Sequence, residues 1–226
     1  MSSAARPAFY ALRPGGWRDY VTLLHPPYTL WHLSYVALGA AFAPQMKWGL
    51  LGWTTLAFAL AMGIGAHALD ELNGRPLRTR IGRRALGALA TLSIAGACAI
   101  GVVVALGSTL WLLAFVAFGA FIVVAYNLEL ASGVFHSDVW FAAAWGAFPV
   151  LTAYFAAAQR IGGMAVATAA FAFLVSFLQR KLSTRARAAR RRPVSPTIDR
   201  PAERALKLLA ASMPLLAGVL LLVRAG

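Results

Sequence analysis

Seven long apolar segments alternate with shorter polar ones along the chain. Each has 17 to 22 residues, and none shows the two-residue alternation of a half-buried strand. A helix rises about 1.5 Å per residue, so about 20 apolar residues cross the roughly 30 Å hydrocarbon layer of a membrane. The pattern predicts seven membrane-spanning helices, at residues 28–44, 48–69, 85–106, 109–126, 139–158, 161–178 and 205–223.

The composition excludes a soluble domain. Hydrophobic residues make up 60% of the chain and charged residues only 12%, whereas about 25% of a typical soluble domain is charged. Because backbone groups in lipid must be satisfied within each segment, we predict an all-α, polytopic transmembrane helical bundle. Cys98 is the single cysteine, so the chain cannot form an internal disulfide.

Basic residues are distributed unevenly between the two predicted faces. Of the 21 lysines and arginines, 18 lie in the N-terminal segment, the 70–84 loop or residues 179–207. This bias predicts a cytoplasmic N-terminus, a C-terminus outside, and a bacterial inner membrane as the location. Because membrane orientation and contact with membrane lipids account for the net charge of +14, we expect no nucleic-acid partner.

The predicted topology makes one membrane domain with four parts. Residues 1–27 form a cytoplasmic N-terminal segment, in which residues 16–24 are expected to make a short interfacial helix. Residues 28–178 form a six-helix core, 179–204 a basic cytoplasmic loop and 205–223 the last span. No apolar stretch typical of a cleaved signal peptide precedes the first span, so we expect the N-terminal segment to be retained.

Ionisable side chains cluster at the inner end of the second predicted span. His67, Asp70 and Glu71 stand at i, i+3 and i+4, which places them on one helical face. An ionisable group at this depth normally faces a partner or a wet cavity. Such oxygen and nitrogen ligands suit Mg²⁺ or Mn²⁺ when a substrate phosphate completes the shell. The alternative is that the two acids pair with Arg75 and Arg78 at the membrane interface.

A second polar cluster closes the fourth predicted span and opens the fifth. Tyr126 and Asn127 end the fourth, and Asp138 precedes the fifth. The tyrosine hydroxyl and the asparagine amide could meet a buried ligand. A tyrosine at this depth is equally typical of an anchor at the membrane interface.

Three stretches, taken in order, resemble one family of membrane enzymes. They are LLHPPYTLWHLSYVALGAAFAP (residues 23–44), AHALDELNGRPLRTRI (66–81) and YNLELASGVFHSDVWFAAAWGAFPVLTAYF (126–155). The first resembles an opening helix, the second a first aspartate motif with its arginine-rich loop, and the third a fourth-to-fifth helix stretch. This order resembles the UbiA superfamily of intramembrane prenyltransferases over roughly residues 20 to 160.

The resemblance implies a central cavity at the cytoplasmic face in which two aspartate motifs hold Mg²⁺ and an isoprenoid diphosphate while an acceptor is alkylated. Metal ions would stabilise the departing pyrophosphate. The chain departs from this pattern in two places. His67 replaces the first aspartate of the first motif, and Gln179, Arg180 and Lys181 stand where the second motif is expected.

The leading hypothesis is a divergent UbiA-like protein that binds an isoprenoid diphosphate or a similar lipid and transfers or cyclises the prenyl chain. Its catalytic residues would be His67, Asp70, Tyr126 and Asn127, its Mg²⁺ ligands His67, Asp70 and Glu71, and its substrate-binding residues Arg75, Arg78, Arg180, Lys181 and Asp138. The alternative is a non-catalytic lipid- or quinone-binding membrane subunit, or a scaffold that has lost prenyl transfer.

Overall fold

The computed structural model describes residues 7–191 and 196–226, which fold into an all-helical bundle with no strand in these ranges. The all-helical part of the predicted fold class is therefore confirmed. The helices are α1 (Trp17–Leu23), α2 (Pro26–Ala41), α3 (Trp48–Gly74), α4 (Arg83–Leu106), α5 (Leu112–Asn127), α6 (Asp138–Ala158), α7 (Gly163–Arg191) and α8 (Pro196–Ala225). One short helical turn, Leu130–Gly133, joins α5 to α6.

Five of these helices are long and apolar enough to cross a membrane. They are α3, α4, α6, α7 and α8, while α2 and α5 have 16 residues each. Large apolar side chains cover the outside of the bundle, among them Leu92 (73% exposed) and Leu222 (74% exposed). An apolar exterior of this extent is typical of a protein surrounded by lipid.

The largest difference from the predicted boundaries lies after the sixth apolar segment. The sequence predicts a basic loop from residue 179, but α7 continues as a helix to Arg191. Hydropathy marks where apolar residues stop, whereas the alanines, arginines and lysines that follow are all strong helix formers. The extension carries Arg180 and Arg187 as helical side chains. Residues 1–6 and 192–195 of the predicted polar segments lie outside the described residues.

Two glycines let the central helices approach closely. A Cβ at Gly39 of α2 would collide with the backbone carbonyl of Val150 in α6. A Cβ at Gly146 of α6 would lie 2.6 Å from both the Ala172 carbonyl oxygen and the Ser176 hydroxyl of α7. Small residues at such crossings are how membrane helices gain packing contact.

Two membrane helices contain π-helical segments. Ala59–Ala66 interrupts α3 directly before His67, and Ala142–Ala147 interrupts α6. A π-helical segment widens the helix locally and is frequent at functional sites.

The N-terminal segment and the 75–82 loop are tied together at one end of the bundle. The buried Asp19 carboxylate of α1 accepts hydrogen bonds from the backbone N–H groups of Gly15 (2.9 Å) and Arg80 (2.8 Å). The helix predicted at residues 16–24 is present as α1. Its location at a membrane interface stays a prediction.

Candidate functional site

A polar cavity of about 140 Å³ lies at the end of the bundle that carries the N-terminal segment. One wall, from α2, α3 and the residue before α2, presents His25, His32, His67 and Asp70. Other polar lining residues are Asn127 at the end of α5 and Gln179, Arg180, Ser183 and Arg187 of α7. Pro7, Ala8 and Tyr10 of the N-terminal segment also line the cavity.

Carbonyl groups of the two π segments fix the cavity histidines. The Nδ1 atom of His67 donates to the Gly63 carbonyl (3.1 Å), and the Nδ1 atom of His32 donates to the Trp145 carbonyl (3.0 Å). Because a carbonyl oxygen only accepts, the proton of each neutral ring is on Nδ1 and the Nε2 lone pair stays available. Both rings can therefore accept a proton or a hydrogen bond.

His25 completes this wall from a strained backbone position. It has a φ of 45° directly before Pro26, and its Nδ1 atom lies 2.8 Å from the Tyr10 hydroxyl. Burial lowers the pKa of His25 well below its ordinary value of 6.5, and the nearby His67 ring and Arg187 guanidinium add to this effect. His25 is therefore neutral at physiological pH.

Asp70 and Glu71 are adjacent in sequence but have different surroundings. Asp70 lines the cavity, and no hydrogen bond or ion pair joins its carboxylate to the described part of the chain. Glu71 is fully buried away from the cavity, and its carboxylate accepts from the Leu77 N–H (3.0 Å), the Thr79 N–H (2.7 Å) and the Thr79 hydroxyl (2.9 Å). The structure therefore does not bring the three predicted metal ligands together.

The two arginines predicted to meet phosphate in the 75–82 loop do not line the cavity. Arg75 donates from its guanidinium to the carbonyl groups of Thr79 (2.9 Å) and Ile81 (3.1 Å). Arg78 is exposed, and its backbone N–H donates to the Arg75 carbonyl, which closes a tight turn. Neither arginine forms an ion pair with Asp70 or Glu71, so the alternative interpretation of these acids is not found either.

Asp138 holds Arg180 in place instead of facing the cavity. Its carboxylate accepts from Arg180 Nε at 3.3 Å and from Lys181 Nζ at 2.6 Å. Arg180 also donates from Nη2 to His136 Nε2 (3.2 Å), and its guanidinium carbon lies 5.4 Å from the centre of the Phe141 ring. Arg180 therefore lines the cavity in one orientation, with Lys181 outside.

Tyr126 and Asn127 are both buried, but only Asn127 lines the cavity. The Asn127 amide donates to the Val123 carbonyl at 2.7 Å. The Tyr126 ring packs between His136 and Trp145, each 4.5 Å away between ring centres, and its hydroxyl has no hydrogen-bond partner among the described residues.

Sequence reasoning selected Arg180 but did not identify the helical face of α7 that lines the cavity. Gln179, Ser183 and Arg187 recur every fourth residue, which places them along one helical face. This spacing was present in the sequence, but it has meaning only if residues 179–187 are helical. The Gln179 side-chain oxygen is buried without a partner among the described residues.

An apolar groove of about 100 Å³ lies next to the polar cavity, between α3, α4, α5 and α6. Aromatic side chains of Phe58, Phe115 and Phe148 line it together with alanines of α3 and α4. Trp145 lines both the groove and the polar cavity. The polar cavity and the apolar groove therefore share the Trp145 side chain, which belongs to the π segment of α6.

The residues around the cavity do not fit a Mg²⁺ centre of the kind that the resemblance implies. Mg²⁺ prefers several oxygen ligands in near-octahedral geometry. The lining carboxylate is Asp70, whereas Glu71 and Asp138 are engaged elsewhere and two guanidinium groups face the cavity. Within the described ranges, no group of three histidine, cysteine or acidic side chains is placed to hold a metal.

This donor set fits an anion better than a cation. Arg180 and Arg187 carry two positive charges against the single negative charge of Asp70. Comparison with models of known families, with curated proteins and with solved structures found no match to this chain.

Proposed function

We propose that this protein binds an isoprenoid diphosphate, or a similar phosphorylated lipid, and transfers or cyclises its prenyl chain. The observation that carries the proposal is the shared wall at Trp145 between a cationic polar cavity and an apolar groove. A prenyl diphosphate has a charged head and a long apolar tail, so each part would lie in an environment that suits it.

Different residues of the cavity would act on the leaving group and on the acceptor of a prenyl transfer. The allylic C–O bond would break and its electron pair would leave with the pyrophosphate, which Arg180 and Arg187 stabilise. The acceptor would form the new bond to the prenyl carbon and lose a proton to His67 Nε2 or to Asp70. Asn127 would position the acceptor. Because the donor set does not fit Mg²⁺, no step of this proposal runs through a metal.

The protein would perform this chemistry as a seven-span bundle in a bacterial inner membrane. The two 16-residue helices, α2 and α5, would cross with the five longer ones. The basic residues near the cavity would lie at the cytoplasmic face, with the N-terminus inside and the C-terminus outside. A water-soluble acceptor and the departing pyrophosphate would then exchange with the cytoplasm.

A second candidate is a non-catalytic lipid-binding subunit that kept the bundle. The position of the acids favours it, since Glu71 stabilises a loop and Asp138 is paired with Arg180 and Lys181. The two candidates share a binding site and differ in turnover. Pyrophosphate release from bound farnesyl diphosphate would favour transfer or cyclisation, and tight binding without release would favour the binding subunit.

Binding of farnesyl diphosphate to the purified full chain tests the shared part of the proposal. Ala97 of α4 lines the groove, whereas Ala99 of the same helix is exposed. We expect Ala97→Phe to weaken the binding of farnesyl diphosphate while leaving that of inorganic pyrophosphate unchanged. Ala99→Phe is the matched control and should bind both normally. If the wild-type chain bound neither compound, the proposed function would be wrong.

A further inference from the structure

We propose that the guanidinium groups of Arg180 and Arg187 hold the diphosphate directly, so that binding needs no divalent metal ion. This inference rests on the proposed function and names how the headgroup is recognised. It differs from what the family resemblance implies, because the resemblance assigns this task to Mg²⁺ held by aspartates.

Arg180 is oriented before any ligand arrives. Asp138 fixes its Nε atom (3.3 Å) and His136 accepts from Nη2 (3.2 Å). The Nη1 atom makes no hydrogen bond to the described part of the chain. An arginine with a fixed plane and free donors suits phosphate oxygens, since little side-chain freedom is lost on binding.

Arg187 adds a second cation on the same helical face. It stands seven residues after Arg180, about two helical turns, and Ser183 lies between them on the cavity side. Its hydrogen bond to the Thr184 hydroxyl is long, at 3.5 Å. No carboxylate within the described ranges lies at ion-pair distance from Arg187. Its charge is therefore available to a ligand.

The carboxylates support the same conclusion. Diphosphate with bound Mg²⁺ would need several acids facing it, and here Glu71 and Asp138 are already engaged by the protein. Asp70 faces the cavity alone, where its negative charge would repel a metal-free diphosphate. Metal-dependent and metal-independent binding therefore predict effects of opposite sign when the Asp70 charge is removed.

The test measures the affinity of the purified full chain for farnesyl diphosphate, with excess EDTA and separately with Mg²⁺. We expect similar affinity in both conditions. Asp70→Asn should bind equally well or more tightly in EDTA. Arg187→Gln should bind roughly tenfold more weakly, the usual effect of removing one charged hydrogen-bonding partner.

Controls separate a direct contact from misfolding. Arg185→Gln removes an exposed arginine of the same helix that does not line the cavity, and it should bind normally. The hydrogen bond of Arg187 to Thr184 lies within α7, and no described hydrogen bond or ion pair joins Arg187 to another element, so Arg187→Gln should keep the wild-type melting temperature. Arg180→Gln also removes the contact of Arg180 with Asp138 of α6, so a weaker binding of this variant would be less specific evidence than that of Arg187→Gln.

The outcomes distinguish this inference from the proposed function. Binding in Mg²⁺ that EDTA abolishes, or that Asp70→Asn abolishes, would overturn the inference and leave the proposed function standing. Equal binding of Arg187→Gln and Arg185→Gln would also overturn it. Binding of neither farnesyl diphosphate nor inorganic pyrophosphate in either condition would overturn the proposed function itself.

Discussion

The imidazole rings of His25 and His67 are stacked, with their centres 3.9 Å apart and 12° between their planes. One ring precedes α2 and the other follows the π segment of α3, so the stack joins two helices at the cavity wall. Two imidazolium ions at this distance would repel each other strongly. The stack therefore depends on at least one ring remaining neutral.

Acidification should destabilise the protein through His25. The lowered pKa of His25 means that the unfolded chain binds this proton more readily than the folded chain does. This contribution to stability is thus complete above the ordinary value of 6.5 and is lost as the pH falls below it. We expect the melting temperature to fall between pH 7 and 5, with a shallower slope in His25→Gln. Equal slopes would contradict a His25 ring that is neutral in the folded protein.

Glu71 and Asp70 should respond oppositely to loss of charge. Glu71→Gln leaves part of the loop hydrogen bonding unmade, which should cost about 1–3 kcal/mol of stability. Asp70→Asn breaks no described hydrogen bond or ion pair, so it should unfold at the wild-type temperature or above it. Thermal unfolding and limited proteolysis of the 75–82 loop would measure both. A larger loss of stability from Asp70→Asn would refute this assignment.

Asp138 should act on ligand binding through Arg180 instead of by contact. Asp138→Asn weakens the ion pair that orients Arg180, so we expect several-fold weaker binding of farnesyl diphosphate. Lys181→Met removes the other partner, which lies outside the cavity, and should change the affinity little. Titration of both variants beside the wild type checks this order. The reverse order would show that Lys181 is the contact residue.

Close helix packing should make Gly146 intolerant of even one methyl group. Gly146→Ala would push α6 away from the Ala172 carbonyl oxygen and the Ser176 hydroxyl, at a cost of about 1–3 kcal/mol. Gly52→Ala in α3 is the matched control, because nothing lies within 4 Å of its added Cβ. That change should be neutral or slightly stabilising, as expected for alanine in a helix. Similar melting temperatures for the two variants would argue against the close crossing.

Part of the candidate site could be predicted from the sequence. It placed His67 and Asp70 on one helical face and identified Arg180 as the basic residue in place of an acid, and all three line one cavity. It grouped Glu71 with them because spacing on a helix does not show which neighbours a side chain meets. The Glu71 carboxylate instead accepts hydrogen bonds from the backbone N–H groups of Leu77 and Thr79, which lie beside it only once the loop has folded.

What the sequence determined by itself was the all-helical class and the approximate position of the apolar helices. Lipid-facing segments must be apolar and about 20 residues long whatever their neighbours are, so that information is local. The helical continuation of α7, the two π segments and the wall shared at Trp145 depend on contacts between helices far apart in the chain. Only the tertiary structure decided these features, because hydropathy records the surroundings of a segment and not its packing partners.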